Sequence, residues 1–435
     1  MPNKLMISLD FKRLRSWGLR GGLAILDQGA FSGSNFILNI FLARWLTQED
    51  YGAFSVAFTI VLFLSGFHNA IQLEPMSVIG PANYQENLEE YLHAQIRLNF
   101  IITIPIAILF FLAGRILLST GVIDTRLSQV LVAAGLAMPF IFFLWVVRRT
   151  FYVRQQPVGA LSSSVLYAFL MMGGLWAAHR LGIESSLIGF GLLGAASLFS
   201  GVITLLVWRK GIARGDDFIH INKVMSSHWN FGRWALAAAV LAVAASQVQI
   251  LLTAGMISLE AAGAFSAMQN FINPMTQTIT AMAILGLPVL SADYGHGDLA
   301  GLHRKGLFLS FVLTAMSVLY LIAIGLLAVP LDQWLYDGKY NAYIWLVLPL
   351  GLVPIFISMA TGFSLILRSI QKVKFYLIGG ITSGVIGIVS GVLMVKAWGM
   401  IGAAASLSLT YFATFVISYY FYRIWFPFEK VKSYG

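Results

Sequence analysis

Residues 307–329 read LFLSFVLTAMSVLYLIAIGLLAV and carry no charge. A helix of about 23 residues is about 35 Å long, enough to cross about 30 Å of hydrocarbon. Working outward from this run, similar apolar stretches recur along the whole chain. The pattern predicts twelve spans, at 23–46, 53–72, 98–114, 130–147, 158–180, 183–208, 234–254, 265–290, 307–329, 343–367, 374–396 and 400–425. Only 11% of the 435 residues are charged and 58% are hydrophobic, which leaves no polar remainder for a soluble enzyme domain. The expected class is an all-α, polytopic integral membrane protein in contact with the lipid bilayer. The first apolar run is too long for a cleavable signal peptide.

A net charge of +10 could suggest nucleic acid, but the distribution of the basic residues argues for topology instead. Of the 28 Lys and Arg, only Arg44, Arg115, Arg126, Arg180, Lys339 and Lys396 fall in alternate loops of one side. This asymmetry places both termini in the cytoplasm. Lys4, Lys12, Arg13, Arg15 and Arg20, interspersed with Ile7, Leu9, Phe11, Leu14 and Trp17, predict a basic interfacial segment over 1–22. The absence of cysteine excludes disulfides, thiolate metal sites and cysteine nucleophiles. Trp45, Trp145, Trp208, Trp234, Trp345 and Trp425 sit near predicted span ends, as an aromatic belt requires.

The chain repeats itself faintly. Gly52-Ala53-Phe54-Ser55 returns as Gly263-Ala264-Phe265-Ser266, and at the same offset Ala43 matches Ala254 and Glu49 matches Glu260. One residue out of that register, Ala82, Tyr84, Leu92 and His93 match Ala292, Tyr294, Leu302 and His303. Six predicted spans fit in the offset, so two six-helix repeats insert the same way up, about an axis along the membrane normal. The expected organisation is a six-helix lobe at 23–208, a cytoplasmic linker at 209–233, a second lobe at 234–425 and a cytoplasmic tail at 426–435.

The segment Phe41-Leu42-Ala43-Arg44-Trp45-Leu46-Thr47-Gln48-Glu49-Asp50-Tyr51-Gly52-Ala53-Phe54-Ser55 resembles the first external turn of polysaccharide transporters. These are the oligosaccharide flippases (Wzx-like) of the multidrug/oligosaccharidyl-lipid/polysaccharide (MOP) exporter superfamily. Where that family often has a Gly-Pro-containing turn, this chain has Thr47-Gln48-Glu49-Asp50. The resemblance implies the fold of that superfamily and of its multidrug and toxin extrusion (MATE) members. It also implies the bacterial inner membrane and the flipping, by alternating access, of a polyprenyl-pyrophosphate-linked oligosaccharide. Glycan polymerase and assembly proteins would be its partners. The same residues also have a structural reading: Gly52 for close packing, Arg44 and Trp45 as interface anchors.

Polar side chains within spans turn toward protein or water. Gln28, Ser32, Asn35 and Asn39 follow one helical face of the first span, and Ser65, His68, Asn69 and Gln72 lie on the second. The seventh carries Ser246, Gln249 and Thr253, and the eighth carries Gln269, Asn270, Asn273, Thr276, Gln277 and Thr280. These are corresponding spans of the two repeats. They predict a hydrated cavity lined by amides and hydroxyls, groups that suit sugar hydroxyls and that can equally tie helices together. Asp27 is the intramembrane carboxylate of the first half. Either it pairs with Arg20 on the same helical side, or it faces a cavity with His68 and exchanges a proton or binds a cation there. A pyrophosphate needs cations, and Arg20, Arg148, Arg149, Arg154 and Arg233 are the candidates near the cytoplasmic mouth.

No metal site or cofactor is expected. The segment Asp293-Tyr294-Gly295-His296-Gly297-Asp298, with His303, lacks a recognised ligand spacing. A membrane glycan enzyme would need reacting groups on a sizeable loop, and the longest external stretch, 115–129, carries only Arg115, Asp124 and Arg126. A major-facilitator carrier would have a basic motif between spans two and three, where this chain has Glu74, Glu86, Glu89 and Glu90. A cation-coupled multidrug or metabolite antiporter of MATE type is the alternative that Asp27 keeps open. Gly380, Gly384, Gly387 and Gly391 predict close helix packing in span eleven.

Overall fold

A computed structural model describes the backbone of residues 11–84, 86–183, 185–208, 221–370 and 372–432; the side chains of 11–21, 234–235, 237–246, 373–377 and 427–432 lie outside the described residues. The chain is all-helical, with 92% of it in helix. The order is α1 (Phe11–Trp45), α2 (Gln48–His68), a π-helical turn (Asn69–Leu73), α3 (Glu74–Asn83), α4 (Leu88–Ser119), α5 (Thr125–Val153), α6 (Pro157–Arg180) and α7 (Ser186–Val207). Then come α8 (Ile221–Met256), α9 (Leu259–Gly295), α10 (Leu299–Tyr336), a 3-10 turn (Asn341–Leu346), α11 (Val347–Ser369) and α12 (Val373–Lys432).

Among the described residues, nine helices are long and apolar enough to cross a membrane, with α2, the π turn and α3 counted as one continuous rod. α1 and α8 add 35 and 36 residues, and α12 is broken at Gly399, where φ is 57° and ψ is −132°. This arrangement fits twelve crossings. Several boundaries differ from those expected. The second span runs on to Asn83, because the π turn carries the helix past Gln72. The third begins at Leu88, since Glu89 and Glu90 lie in the first turn of α4 and complement its dipole. α8 begins at Ile221, so the expected linker is already helical from there to 233, and its first part, 209–220, lies outside the described residues. Most of the basic 1–22 segment and the last residues of the tail lie outside them too.

The internal repeat is written into the helix starts. α2 and α9 begin at Gln48 and Leu259, α4 and α10 at Leu88 and Leu299, each pair at the offset that relates Gly52 to Gly263. Their caps correspond as well. Thr47 Oγ1 accepts from Asp50 N at 3.1 Å, and Ser258 Oγ accepts from Ala261 N at 3.0 Å.

Helices α1–α7 pack chiefly among themselves, as do α8–α12, and the two groups meet where α2 lies against α8 and α9. At that meeting Gly52 and Gly263 bring the two backbones together. A Cβ on Gly52 would stand 1.8 Å from the Leu259 carbonyl oxygen, and one on Gly263 would stand 2.2 Å from that of Gln48. Around them Tyr51–Ala57 of α2 and Ala261–Phe265 of α9 are buried. From Gln277 onward α9 is less covered, with Thr278, Thr280, Met282 and Ile284 exposed while Ile279 and Leu290 stay buried. Along α2 and α9 the two repeats therefore touch at one end of the bundle, and α9 is less covered toward the other, the end at which α1 begins, where the start of α8 still lies against the first repeat. In α12, Gly387 packs on Thr410 and Gly391 on Leu252, as expected, while Gly380 has open space beside it.

Candidate functional site

The gap between the repeats can be traced along α1. Gly22, Gly29 and Gly33 share one helical face with Arg44, which reaches across to Asp337 beyond α10. A Cβ at any of the three glycines would meet nothing within 4 Å. The face that touches the second repeat at its top therefore borders open space lower down. The polar stripe runs along the flank of that face.

Its upper members are tied together. Tyr51 Oη donates to Asn39 Oδ1 at 3.4 Å, and Asn270 Nδ2 lies 3.1 Å from Tyr51 Oη and 3.3 Å from Tyr336 Oη. Asn273 Nδ2 donates to Asn270 Oδ1 at 3.4 Å. These amides close the bundle across the two repeats. Lower down, Asn35 accepts from Tyr167 Oη at 2.6 Å, Gln28 Nε2 donates to Ser32 Oγ at 2.9 Å, and Gln277 is exposed. Gln269 is half-buried, and Gln249 is fully buried in the packed part of α8. The side chain of Ser246 lies outside the described residues.

Asp27 is the centre of the lower site, only 1% exposed. The partner the structure gives it is Arg148, on α5. Arg148 Nε and Nη2 reach its two oxygens at 3.2 and 2.8 Å, in the bidentate geometry that suits a guanidinium. Tyr152 Oη donates at 2.6 Å and Ser164 Oγ at 2.5 Å, so α1, α5 and α6 all converge on this carboxylate. The Arg148 guanidinium also lies 4.2 Å from the centre of the Phe31 ring. Arg20 is in α1, with its side chain outside the described residues. Tyr152 and Ser164 were not singled out from the sequence; Ser164 is one hydroxyl among three consecutive serines, and nothing local marks it.

His68 does not join Asp27. Its Nε2 pairs with Asn99 Oδ1 of α4 at 3.1 Å, and its ring stacks on Phe142. The Trp145 indole neighbours both His68 and Phe31, on the Asp27 side. Gln72 turns the same way as His68, donating to the Gln95 carbonyl at 2.7 Å, while Asn69 is half-buried. The π turn follows directly after His68, and both His68 and Gln72, within the turn, find their partners on α4. A further residue, unmarked in the sequence reading, completes this ladder. His228, in the expected linker, donates through Nδ1 to the Ile71 carbonyl at 3.1 Å. Its neutral Nε2 accepts from Tyr91 Oη at 2.7 Å and Gln95 Nε2 at 3.0 Å. Next to it, a Cβ on Gly232 would stand 2.5 Å from the Ala70 carbonyl oxygen. The start of α8 is thus clamped to the first repeat.

The candidate phosphate-binding arginines separate. Arg148 is held by Asp27, and Arg154 by Glu89. Arg149 leans toward α3, with Nη1 3.4 Å from Ser77 Oγ, and has no carboxylate within ion-pair distance among the described residues. Since Arg148 reaches to α1 and Arg149 to α3, α5 presents adjacent guanidinia between those two helices. Arg233 is exposed on α8. The Asp293–His303 connection is explained by its contacts: Asp293 pairs with Lys305 at 2.8 Å, Asp298 caps α10, and His303 Nδ1 lies 2.8 Å from Tyr422 Oη.

No family model matches this sequence, and no curated protein matches it. Solved structures do match. An inward-facing multidrug resistance MATE family transporter of the MOP superfamily superposes with a TM-score of 0.76 at 14% identity, over 94% of this chain and 99% of that one. The lipid II flippase MurJ in an inward closed conformation gives 0.72 at 14% identity, over 92% and 87%. An outward-facing MATE family transporter of the same superfamily gives 0.64 at 14% identity, over 94% and 97%. The chain is an integral membrane protein with the transporter fold of the MOP superfamily.

Proposed function

We propose that this chain is an exporter of the flippase kind, carrying a polyprenyl-pyrophosphate-linked oligosaccharide across the bacterial inner membrane by alternating access. The two repeats would act as lobes over 23–208 and 234–425. The open end would face the cytoplasm, in keeping with the positive-inside asymmetry and with the higher similarity to the inward-facing neighbour.

One observation carries the choice of an anionic headgroup. The buried acid of the gap wall, Asp27, is already bound by Arg148, whereas Arg149 next to it has no carboxylate within ion-pair distance among the described residues. A site so charged attracts phosphate oxygens and disfavours organic cations. Gln28 and Ser32 would then meet sugar hydroxyls, and the prenyl chain would stay in the lipid.

The test is binding to purified protein. Farnesyl pyrophosphate, as a short prenyl-pyrophosphate probe, should bind the parent and bind Arg149→Gln at least about tenfold more weakly, about 1.4 kcal/mol. A second reading, a cation-coupled multidrug antiporter, draws on Asp27 and on the MATE neighbours. Binding of a lipophilic cation such as tetraphenylphosphonium, with none of the pyrophosphate, would favour that reading and overturn the first.

A further inference from the structure

At the closed end two helices from different repeats cap one another. α1 ends at Trp45 and α10 at Tyr336, and each leaves its last carbonyls without donors inside the helix. Lys339, just past α10, places Nζ on the carbonyl oxygens of Ala43 at 3.1 Å, of Arg44, and of Leu46 at 2.6 Å. An ammonium has three N–H groups, and here each finds a carbonyl at the negative end of the α1 dipole. In return Arg44 Nη1 donates to the Trp334 carbonyl in the last turn of α10 at 2.7 Å, and Nη2 to Asp337 Oδ1 at 2.6 Å. Gln48 Nε2 to the Lys339 carbonyl at 2.7 Å and Tyr340 Oη to the Ala43 carbonyl at 3.2 Å complete the exchange.

The segment that carries Lys339 is held from beneath by Asp332, 1% exposed. The Asp332 carbonyl accepts from Gly338 N at 3.2 Å, and its Oδ1 accepts from Tyr340 N at 3.2 Å. Asp337 takes up the left-handed conformation, φ 56°, that turns the chain back toward α1. Below this rim lie the Gly52–Gly263 contact and the Tyr51–Asn270 amides, all buried. The rim itself is wet, with the Arg44 and Asp337 side chains 35% and 63% exposed. Its bonds can therefore be exchanged for water without uncovering a core.

We propose that this reciprocal capping is the latch that keeps the closed end shut, with Lys339 as its releasing member and Asp332 as the residue that positions it. The latch is one-sided. At the repeat offset, Asp337 and Lys339 correspond to Arg126 and Ser128, and Arg126 pairs with Glu49 and with Asp50, inside its own repeat. The inference requires that the repeats part at this end during transport, and it is independent of what is carried.

The experiment uses Gly33→Cys in the cysteine-free chain, in sealed membrane vesicles, with an impermeant maleimide applied from the face bearing Trp45. Lys339→Gln and Arg44→Gln should each label severalfold faster than the parent. Lys339→Arg and Asp332→Asn, which keep the donor and the acceptor, should label at the parent rate, and Asp332→Ala should label faster. Arg126→Gln, an equally exposed charge without a bond between repeats, should leave the rate unchanged. Labelling of Ser227→Cys from the opposite face reports that a variant is folded; if Lys339→Gln fails that check, Arg44→Gln decides. Parent-rate labelling of the folded latch variants, or equal acceleration by Arg126→Gln, would overturn the proposal.

Discussion

Gly52 and Gly263, which occupy the same place in the two repeats, each fill the space a side chain would take on the other's helix. A Cβ on Gly263 would come within 2.9 Å of Gly52 N, and one on Gly52 within 3.1 Å of Gly263 N. The contact is nearly two-fold symmetric, and it sits where α2 and α9 leave their N-caps. Two helices can approach this closely only where both lack side chains.

Replacing either glycine should force the closed end apart. The atoms that either Cβ would meet are backbone, so nothing flexible can yield, and overpacking of this kind costs about 1–3 kcal/mol or more. Gly52→Ala and Gly263→Ala should each lower the melting temperature in detergent. Gly29→Ala, whose Cβ would meet open space, should leave it unchanged or raise it slightly. Equal effects at all three would mean that the close approach is not real.

The Asp27–Arg148 pair should behave as a unit. Removing one partner of a buried ion pair leaves the other charge uncompensated and costs about 3–5 kcal/mol. Arg148→Gln and Asp27→Asn should each destabilise the protein, and the double variant should lose less than the sum, with a coupling of about 1–3 kcal/mol. Denaturant unfolding of the four proteins in mixed micelles measures it. Strict additivity would show that the two side chains do not meet.

His228→Phe should loosen the start of α8 from the first repeat. The substitution strands Tyr91 Oη and Gln95 Nε2, buried groups whose loss of partners costs about 1–3 kcal/mol each, and the part-buried Ile71 carbonyl. Hydrogen exchange should rise over residues 221–233 and over the π turn, and stay unchanged at the Gly52 end. Protection unchanged over 221–233 would exclude the clamp.

At Gly399 the backbone adopts a conformation open almost only to glycine, and it divides α12 into two crossings. Gly399→Ala should cost about 1–3 kcal/mol. Gly380→Ala, within the same long helix and with nothing near its Cβ, provides the comparison. Circular dichroism melts of the two variants give the difference directly.

The class of the protein was legible because apolar length is a local property. A run such as 307–329 needs no neighbour to declare that it can cross a bilayer, and the Gly52/Gly263 repeat needs only alignment of the chain with itself. Periodicity also placed Gln28, Ser32, Asn35 and Asn39 on one flank of α1. It could not say which of them would be taken up by tyrosines, since Tyr51, Tyr167 and Tyr336 arrive from other helices. The expected pairing of Asp27 with Arg20 follows a charge on its own helix, and the Arg20 side chain lies outside the described residues; the arginine found at Asp27 comes from α5, 121 residues away. A shared depth suggests that His68 neighbours Asp27, but depth says nothing of direction, and His68 turns to Asn99 of α4.

By itself the sequence determined the membrane class and the all-helical fold, because hydropathy acts through neighbours in the chain. Tertiary structure alone decided which end of the bundle is shut, which arginine Asp27 holds and why Lys339 caps a helix from the other repeat. Those outcomes depend on distances between segments far apart in sequence, set by how closely two glycine-bearing backbones approach and where the remaining carbonyls find their donors.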